Sequence, residues 1–191
     1  MKTDLRVLKT KDALHAGLVA LLEIKPLEKI TITELCQQAK INRGTFYLHY
    51  QEINDVFEEY FREITADLAK SYEEPYRHVS VLKTSELDPS TIRIFHHIKN
   101  YESFYTIVLS KRVPLLYYYL LFDEVRTLFL NDHATSWNQP EIQRDLYCAY
   151  QANAIIGMIL HWYQHGFEAS AQEMNEQLVK IINLQPANLN D

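Results

Sequence analysis

Glycine is scarce in this chain, four residues in 191, and the six prolines stand at segment boundaries. Few turns can be made from so few chain-reversing residues, which argues against a turn-rich fold and for long helices in a bundle. Cysteine is scarcer still: Cys36 and Cys148 are the only two, so no disulfide framework follows. No apolar run reaches the roughly 18 residues of a membrane span. Met1-Lys2-Thr3-Asp4-Leu5 is too polar for a signal peptide, so a cytoplasmic location is expected. Catalytic signatures are missing as well: there is no nucleophile elbow and no Gly-rich phosphate loop. His161 and His165 stand four apart and His96 and His97 are adjacent, but no Cys cluster or carboxylate at ligand spacing accompanies them. Trp162 stands where a His-Glu-x-x-His motif would carry its glutamate. The expectation is therefore no enzyme, no cofactor and no metal site.

Charge of one sign is also short. The net charge of −6 by itself speaks against a nucleic-acid partner. Its distribution reverses that inference, because residues 1–50 hold eight Lys/Arg against five Asp/Glu, while residues 51–191 hold eleven against twenty. A mildly basic head on an acidic body suits a protein that presents only its head to DNA. With 47% hydrophobic residues the chain can bury a substantial core.

What is present in the head is a pair of short helices about a tight turn, residues 31–50. Thr31 followed by Glu34 forms a capping box, with Ile30 and Leu35 at the positions of a hydrophobic staple. Ile32, Leu35 and Ala39 share the inward face, leaving Thr31 and Thr33 wet. Ala39 is small enough to let two helices cross closely. Ala39-Lys40-Ile41 has the length of a helix-turn-helix connection, in which Lys40 takes the place often held by glycine. A left-handed Lys40 would cost roughly 1–2 kcal/mol, so a somewhat different turn is an alternative. Asn42 then caps the second helix.

In that second helix Phe46 and Tyr50, four apart, face inward. Arg43, Gly44, Thr45, Tyr47, Leu48 and His49 are left to solvent and a partner, for which duplex DNA fits best. Arg43 could read guanine, and the Thr45 methyl could touch thymine in the major groove. Gly44 allows close backbone approach; the helix N-terminus, Tyr47 and His49 suit phosphate oxygens. The candidate DNA-binding set is Thr31, Thr33, Asn42, Arg43, Gly44, Thr45, Tyr47 and His49.

The run Asn42-Arg43-Gly44-Thr45-Phe46-Tyr47-Leu48-His49-Tyr50 resembles the recognition-helix signature of TetR-type transcriptional regulators. The resemblance extends upstream through Leu14, Leu18, Leu21 and Leu22 and through Glu28-Lys29-Ile30-Thr31, covering roughly residues 8–60. It departs at two positions. Ile53 replaces the usual phosphate-binding lysine, and Leu48 stands where a second tyrosine or a basic residue is common. Both departures remove phosphate contacts and should flatten the salt dependence of binding. The resemblance implies an all-α fold: an N-terminal three-helix helix-turn-helix DNA-binding domain over residues 1–51, and a C-terminal antiparallel helical bundle over 52–191 for ligand binding and dimerisation.

The body reads in that way. Val56, Tyr60, Ile64 and Leu68 repeat at four-residue steps along a helix expected over 52–71, which Pro75 would end. Residues 76–89 are the least regular stretch. Further helices are expected near 90–98, 101–110, 114–131, 140–165 and 171–183. Leu146, Ala149, Asn153, Ile156, Gly157 and Leu160 form a stripe on one of the last two helices, and Met174, Leu178, Ile181 and Ile182 a stripe on the other. Pairing with the same helices of a second copy would make a two-fold four-helix interface, as the resemblance also implies. A homodimer reads a near-palindromic operator whose half-site spacing matches the two recognition helices. The resemblance further implies an effector pocket for an unknown small molecule, with Tyr101, Phe104, Tyr105, Tyr118, Phe122, Tyr150, His161 and Trp162 as candidate lining. A core role for these aromatics is the competing reading. The sequence thus points to a ligand-responsive repressor; the alternative is a coactivator of the same fold that binds a protein or small molecule without its own operator.

Overall fold

The computed structural model describes residues 5–73, 88–131 and 140–184. Among them there is no strand; the elements are α1 Leu5–Leu22, α2 Ile32–Ala39, α3 Arg43–Tyr47, α4 Ile53–Glu73, α5 Ile94–Asn100, α6 Glu102–Val108, α7 Leu116–Asn131, α8 Arg144–Gln164 and α9 Ala171–Ile182. Short 3-10 turns occupy Leu27–Lys29 and Pro89–Thr91. The expected body helices are all found, within four residues at each end. Pro75 and the irregular stretch as far as residue 87 lie outside the described residues.

The chain divides into two compact units, Met1–Ala66 with Ser103–Leu121, and Asp67–Glu102 with Phe122–Asp191. In the first unit Leu14, Leu18 and Leu22 of α1, Leu35 of α2, Phe46 of α3, and Val56 and Phe57 of α4 have no exposed surface. Spacing of four puts the three leucines on one face of α1, the stripe that an amphipathic helix buries. α1 and α2 cross where both lack bulk: a Cβ on Gly17 would sit 3.3 Å from the Ala39 Cβ and 3.3 Å from its backbone nitrogen. Phe57 meets Tyr117 edge-on at 4.6 Å, and Phe61 and Tyr60 both pack on Phe104, at 5.7 and 5.5 Å. The Arg112 guanidinium closes the C-terminal end of α1 by donating to the Leu22 carbonyl at 2.6 Å.

The second unit has its own core. Trp162 of α8 packs edge-on against Phe95 at 5.9 Å and Phe167 at 5.2 Å, and its indole N–H donates to the Ala169 carbonyl at 3.0 Å. Gly166 and Phe167 both take positive φ, 64° and 54°, to turn the chain from α8 toward α9. A capping box, Ser170 with Glu173, starts α9. Asn175 of α9 is fully buried, and its amide donates to the carbonyls of Pro89 and Ile92, each at 3.0 Å. One polar side chain thereby satisfies two backbone acceptors in the turn that precedes α5.

Candidate nucleic-acid interface

α2 starts as its sequence dictates. The Thr31 hydroxyl accepts from the Glu34 N–H at 3.3 Å, and the Glu34 carboxylate accepts from the Thr31 N–H at 2.9 Å. Lys25 adds a third bond to Glu34 at 2.5 Å; with the Thr31 hydroxyl it pulls the Glu34 pKa down to about 2. The Thr31 hydroxyl also donates to Glu34 at 2.7 Å, so its proton is already committed within the cap. Thr33, two residues further on, is exposed.

The turn is the strained one. Lys40 takes φ 57° and ψ 40°, the left-handed conformation, and the next N–H, of Ile41, bonds back to the Cys36 carbonyl at 2.9 Å. A lysine pays the roughly 1–2 kcal/mol that glycine would avoid. Asn42 then caps α3, its side-chain oxygen accepting from the Gly44 N–H at 2.9 Å.

α3 is short, and residues 48–49 continue it only as a turn, with the N–H groups of His49 and Tyr50 both bonded to the Phe46 carbonyl at 2.9 and 3.0 Å. Phe46 and Tyr50 are buried. Asn42, Arg43, Gly44, Tyr47 and Leu48 are exposed, whereas Thr45 and His49 are half-buried. Arg43 lies along Tyr47, its guanidinium donating to the phenol oxygen at 3.4 Å and standing 6.0 Å from the ring centroid. That bond holds the Arg43 pKa above its ordinary value. The pair presents a fixed positive charge and a phenol proton on one edge, the chemistry that base edges and phosphates accept.

α4 begins beside α3. The Asp55 carboxylate accepts from the N–H groups of Gln51 and Glu52, at 2.7 and 3.0 Å. Ile53, where the resemblance would place a phosphate-binding lysine, is turned into the core at 8% exposure. A cleft of about 380 Å³ behind the recognition helix is lined by His49, Tyr50, Gln51, Asp55, Glu58, Glu59 and Arg62. Three carboxylates against one guanidinium make it unsuited to a phosphate.

A polar network that sequence reading missed anchors this arrangement. The Tyr50 hydroxyl donates to Glu59 of α4, and the same carboxylate accepts from Lys11 of α1. His15 lies beside it, Nε2 3.8 Å from Glu59 and Nδ1 3.5 Å from Glu63, with its ring 5.0 Å from Tyr60. Burial lowers the His15 pKa against the pull of Glu63, Glu59 and Asp12. The only local signal was a lysine and a histidine four apart on α1.

The eight aromatic and histidine candidates for an effector pocket are divided between the two units and differ in burial. Phe104 and Tyr105 are fully buried in the first unit, where they fill its core, and Trp162 does the same in the second. Tyr150 is 68% exposed and His161 is exposed on the outer face of α8. Tyr101, Tyr118 and Phe122 are half-buried. The candidate dimer stripe also divides: Leu146, Asn153, Gly157 and Ile181 are exposed, Ala149, Leu160 and Leu178 half-buried, and Ile156 and Met174 are buried within the subunit. Ile156 and Met174 therefore support the face from behind and cannot form it. The His161 and His165 rings lie 4.2 Å apart, tilted by 41°, and no three metal-binding side chains gather among the described residues. No described helix is long and apolar enough to cross a membrane.

Comparison with known proteins agrees with the helix-turn-helix geometry. The TetR-type family model for the transcriptional regulator C-terminal region matches residues 85–184, just over half of the chain. The chain belongs to the TetR family of transcriptional regulators. It is 21% identical over 167 residues to the uncharacterized HTH-type transcriptional regulator YxbF of Bacillus subtilis (strain 168), covering 87% of this chain and 43% of that one. It is 24% identical over 169 residues to the HTH-type dhaKLM operon transcriptional activator DhaS of Lactococcus lactis subsp. lactis (strain IL1403), covering 85% and 82%. The chain thus spans less than half of YxbF and most of DhaS. Among solved structures, the dihydroxyacetone kinase operon activator DhaS superposes with a TM-score of 0.65 at 15% identity, over 91% of this chain and 93% of that one. The fatty acid degradation regulator FadR from Bacillus halodurans gives 0.67 at 10% identity, over 91% and 94%. At these identities the structures establish the shared fold.

Proposed function

We propose that this TetR-family protein is a sequence-specific DNA-binding regulator, in which residues 1–51 read the operator and residues 52–191 carry the subunit contacts and the response to a small molecule. The observation that carries the reading is the recognition element: α3, capped by Asn42 and anchored by buried Phe46 and Tyr50, turns Arg43, Gly44 and Tyr47 outward together. Thr33 on α2 supplies a neighbouring phosphate donor, and half-buried His49 and Thr45 flank the edge.

A homodimer is part of the proposal. Leu146, Tyr150, Asn153, Gly157 and His161 lie along one exposed face of α8, and Ile181 and Ile182 of α9 expose 55% and 39% of their surface. Two copies of this face, paired about a two-fold axis, would cover that apolar area and set two recognition helices against a near-palindromic site. Repression is the proposed sign of regulation. An effector that releases DNA must be weakened by DNA to the same factor.

A second reading has its own observation. With Ile53 in the core and three carboxylates lining the cleft beside α3, the first two turns of α4, residues 53–59, offer no cation to phosphate. A coactivator that binds a protein or small molecule without its own operator fits that shortage. Fluorescence anisotropy on the DNA upstream of the gene, against scrambled duplex and across a salt series, separates the two. Tight, sequence-dependent binding supports the regulator; equal weak binding to both duplexes, with no palindrome recovered by selection from genomic fragments, supports the coactivator.

A further inference from the structure

We propose that Leu48 reads the C5-methyl group of a thymine in each operator half-site, an inference that rests on the DNA-binding reading above. Gly44, Tyr47 and Leu48 stand at i, i+3 and i+4 and so share one face of the recognition element. Leu48 is 79% exposed there, more than the 52% of Tyr47, and carries no polar atom. Gly44 leaves the space beside it open: a Cβ at that position would meet only the Asn42 side-chain oxygen, at 3.5 Å. Arg43 is held against Tyr47 and so leaves Leu48 uncovered.

In the major groove the thymine methyl is the one apolar group that base edges present. From sequence, the Thr45 methyl was the candidate to meet it. The structure half-buries Thr45 and projects Leu48, which moves the apolar contact three residues along the chain. In the signature that the run resembles, a second tyrosine or a basic residue is common at the position of Leu48, so here a phosphate contact is exchanged for a base contact. Specificity is gained without a cation, and the contact should be indifferent to salt.

The experiment uses the full chain and its preferred duplex, obtained by repeated selection from a randomised pool. Each thymine of that duplex is replaced in turn by uracil, which removes the methyl alone, and binding is measured for wild type, Leu48→Ala and Leu48→Met. At one position in each half-site uracil should weaken wild type roughly fourfold, the effect of about one buried methyl group. Leu48→Ala should be indifferent to uracil at that position, and Leu48→Met should recover the sensitivity. The slope of affinity against salt should be the same for wild type and Leu48→Ala. Sensitivity to uracil that survives Leu48→Ala at every position, or a reduced salt slope in that variant, overturns the assignment while leaving DNA binding intact. Failure to select any preferred duplex overturns the DNA-binding reading and this inference together.

Discussion

The Tyr50 hydroxyl donates a hydrogen bond to the carboxylate of Glu59, nine residues away on the next helix. Because Lys11 of α1 binds the same carboxylate, one side chain of α4 ties the end of the recognition element to the first helix. Burial pushes the Glu59 carboxyl upward, but the bonds from Lys11 and Tyr50 outweigh it and leave the pKa lowered. A lowered carboxyl stabilises the fold above the ordinary carboxylate range, and that contribution is lost as pH falls through the folded-state value. Glu59→Gln should lower the unfolding free energy near pH 7 by about 1–2 kcal/mol and flatten the loss of stability in acid. Urea titrations of both proteins at a series of pH values between neutrality and pH 3 would show it; parallel curves would dismiss the network as an anchor.

His15 and His97 give an acid limb of opposite origin. Burial lowers the pKa of His15 despite Glu63, Glu59 and Asp12, and it lowers that of His97 despite Asp67, whose carboxylate is 3.2 Å from Nδ1. The unfolded chain therefore takes up protons first, near the unperturbed histidine value of about 6.5. Stability is unaffected above that pH and declines below it, by at most about 1.4 kcal/mol per pH unit for each histidine. Replacing either with Gln should shallow the decline between about pH 6.5 and 5, read as the shift of the thermal midpoint with pH. An unchanged slope in both variants would show that neither imidazole stays neutral in the fold.

Close approach at Gly17 sets the angle at which α2 leaves α1. The nearest neighbours of a new Cβ include the Ala39 backbone nitrogen, which cannot swing aside as a side-chain tip would. Gly17→Val should destabilise by about 1–3 kcal/mol, the usual range for overpacking a filled site. The measurement is chemical denaturation with circular dichroism. Stability equal to wild type would mean that the crossing is looser than these distances require.

Arg43 and Tyr47 should behave as one unit. Each alanine substitution is expected to weaken operator binding by roughly tenfold to a hundredfold, and the double variant by less than the product, because the pair shares a contact. Helicity should be unchanged, since both side chains are exposed. Anisotropy titrations of the three variants test it, and wild-type affinity in both single variants would remove α3 from the interface.

Local chemistry made the head legible. The Thr31 and Glu34 cap, the Asn42 cap and the inward Phe46 and Tyr50 all depend on residues within four positions of one another, and all are found. Lys11 and Glu59 are 48 residues apart, so no sequence period connects them. Phe104 and Tyr105 look alike in sequence as pocket lining or core, because an aromatic side chain serves either; both are fully buried in the first unit. On α8 the difficulty is a helix apolar on nearly every side. Cys148, Ala152, Ile155, Ile156, Ile159 and Trp162 turn inward, while Leu146 and Tyr150 turn out, and a stripe drawn through the sequence takes residues from both faces.

That division of α8 supplies the sharpest test of the proposed dimer. Among the described residues of its own subunit a Cβ on Gly157 would meet nothing within 4 Å, so none of them calls for glycine there. Glycine in a helix interior costs about 0.8–1 kcal/mol relative to alanine, a cost that a close approach by a second subunit would offset. Gly157→Leu should therefore leave the isolated subunit as helical as before, or slightly more stable, and raise the dimer dissociation constant by roughly tenfold or more through overpacking of the two-fold contact. Sedimentation equilibrium over nanomolar to micromolar protein reads the dissociation constant directly. A variant that dimerises as tightly as wild type would show that the exposed face of α8 is not where two copies meet, and the spacing of the recognition helices would then have to be set by another surface.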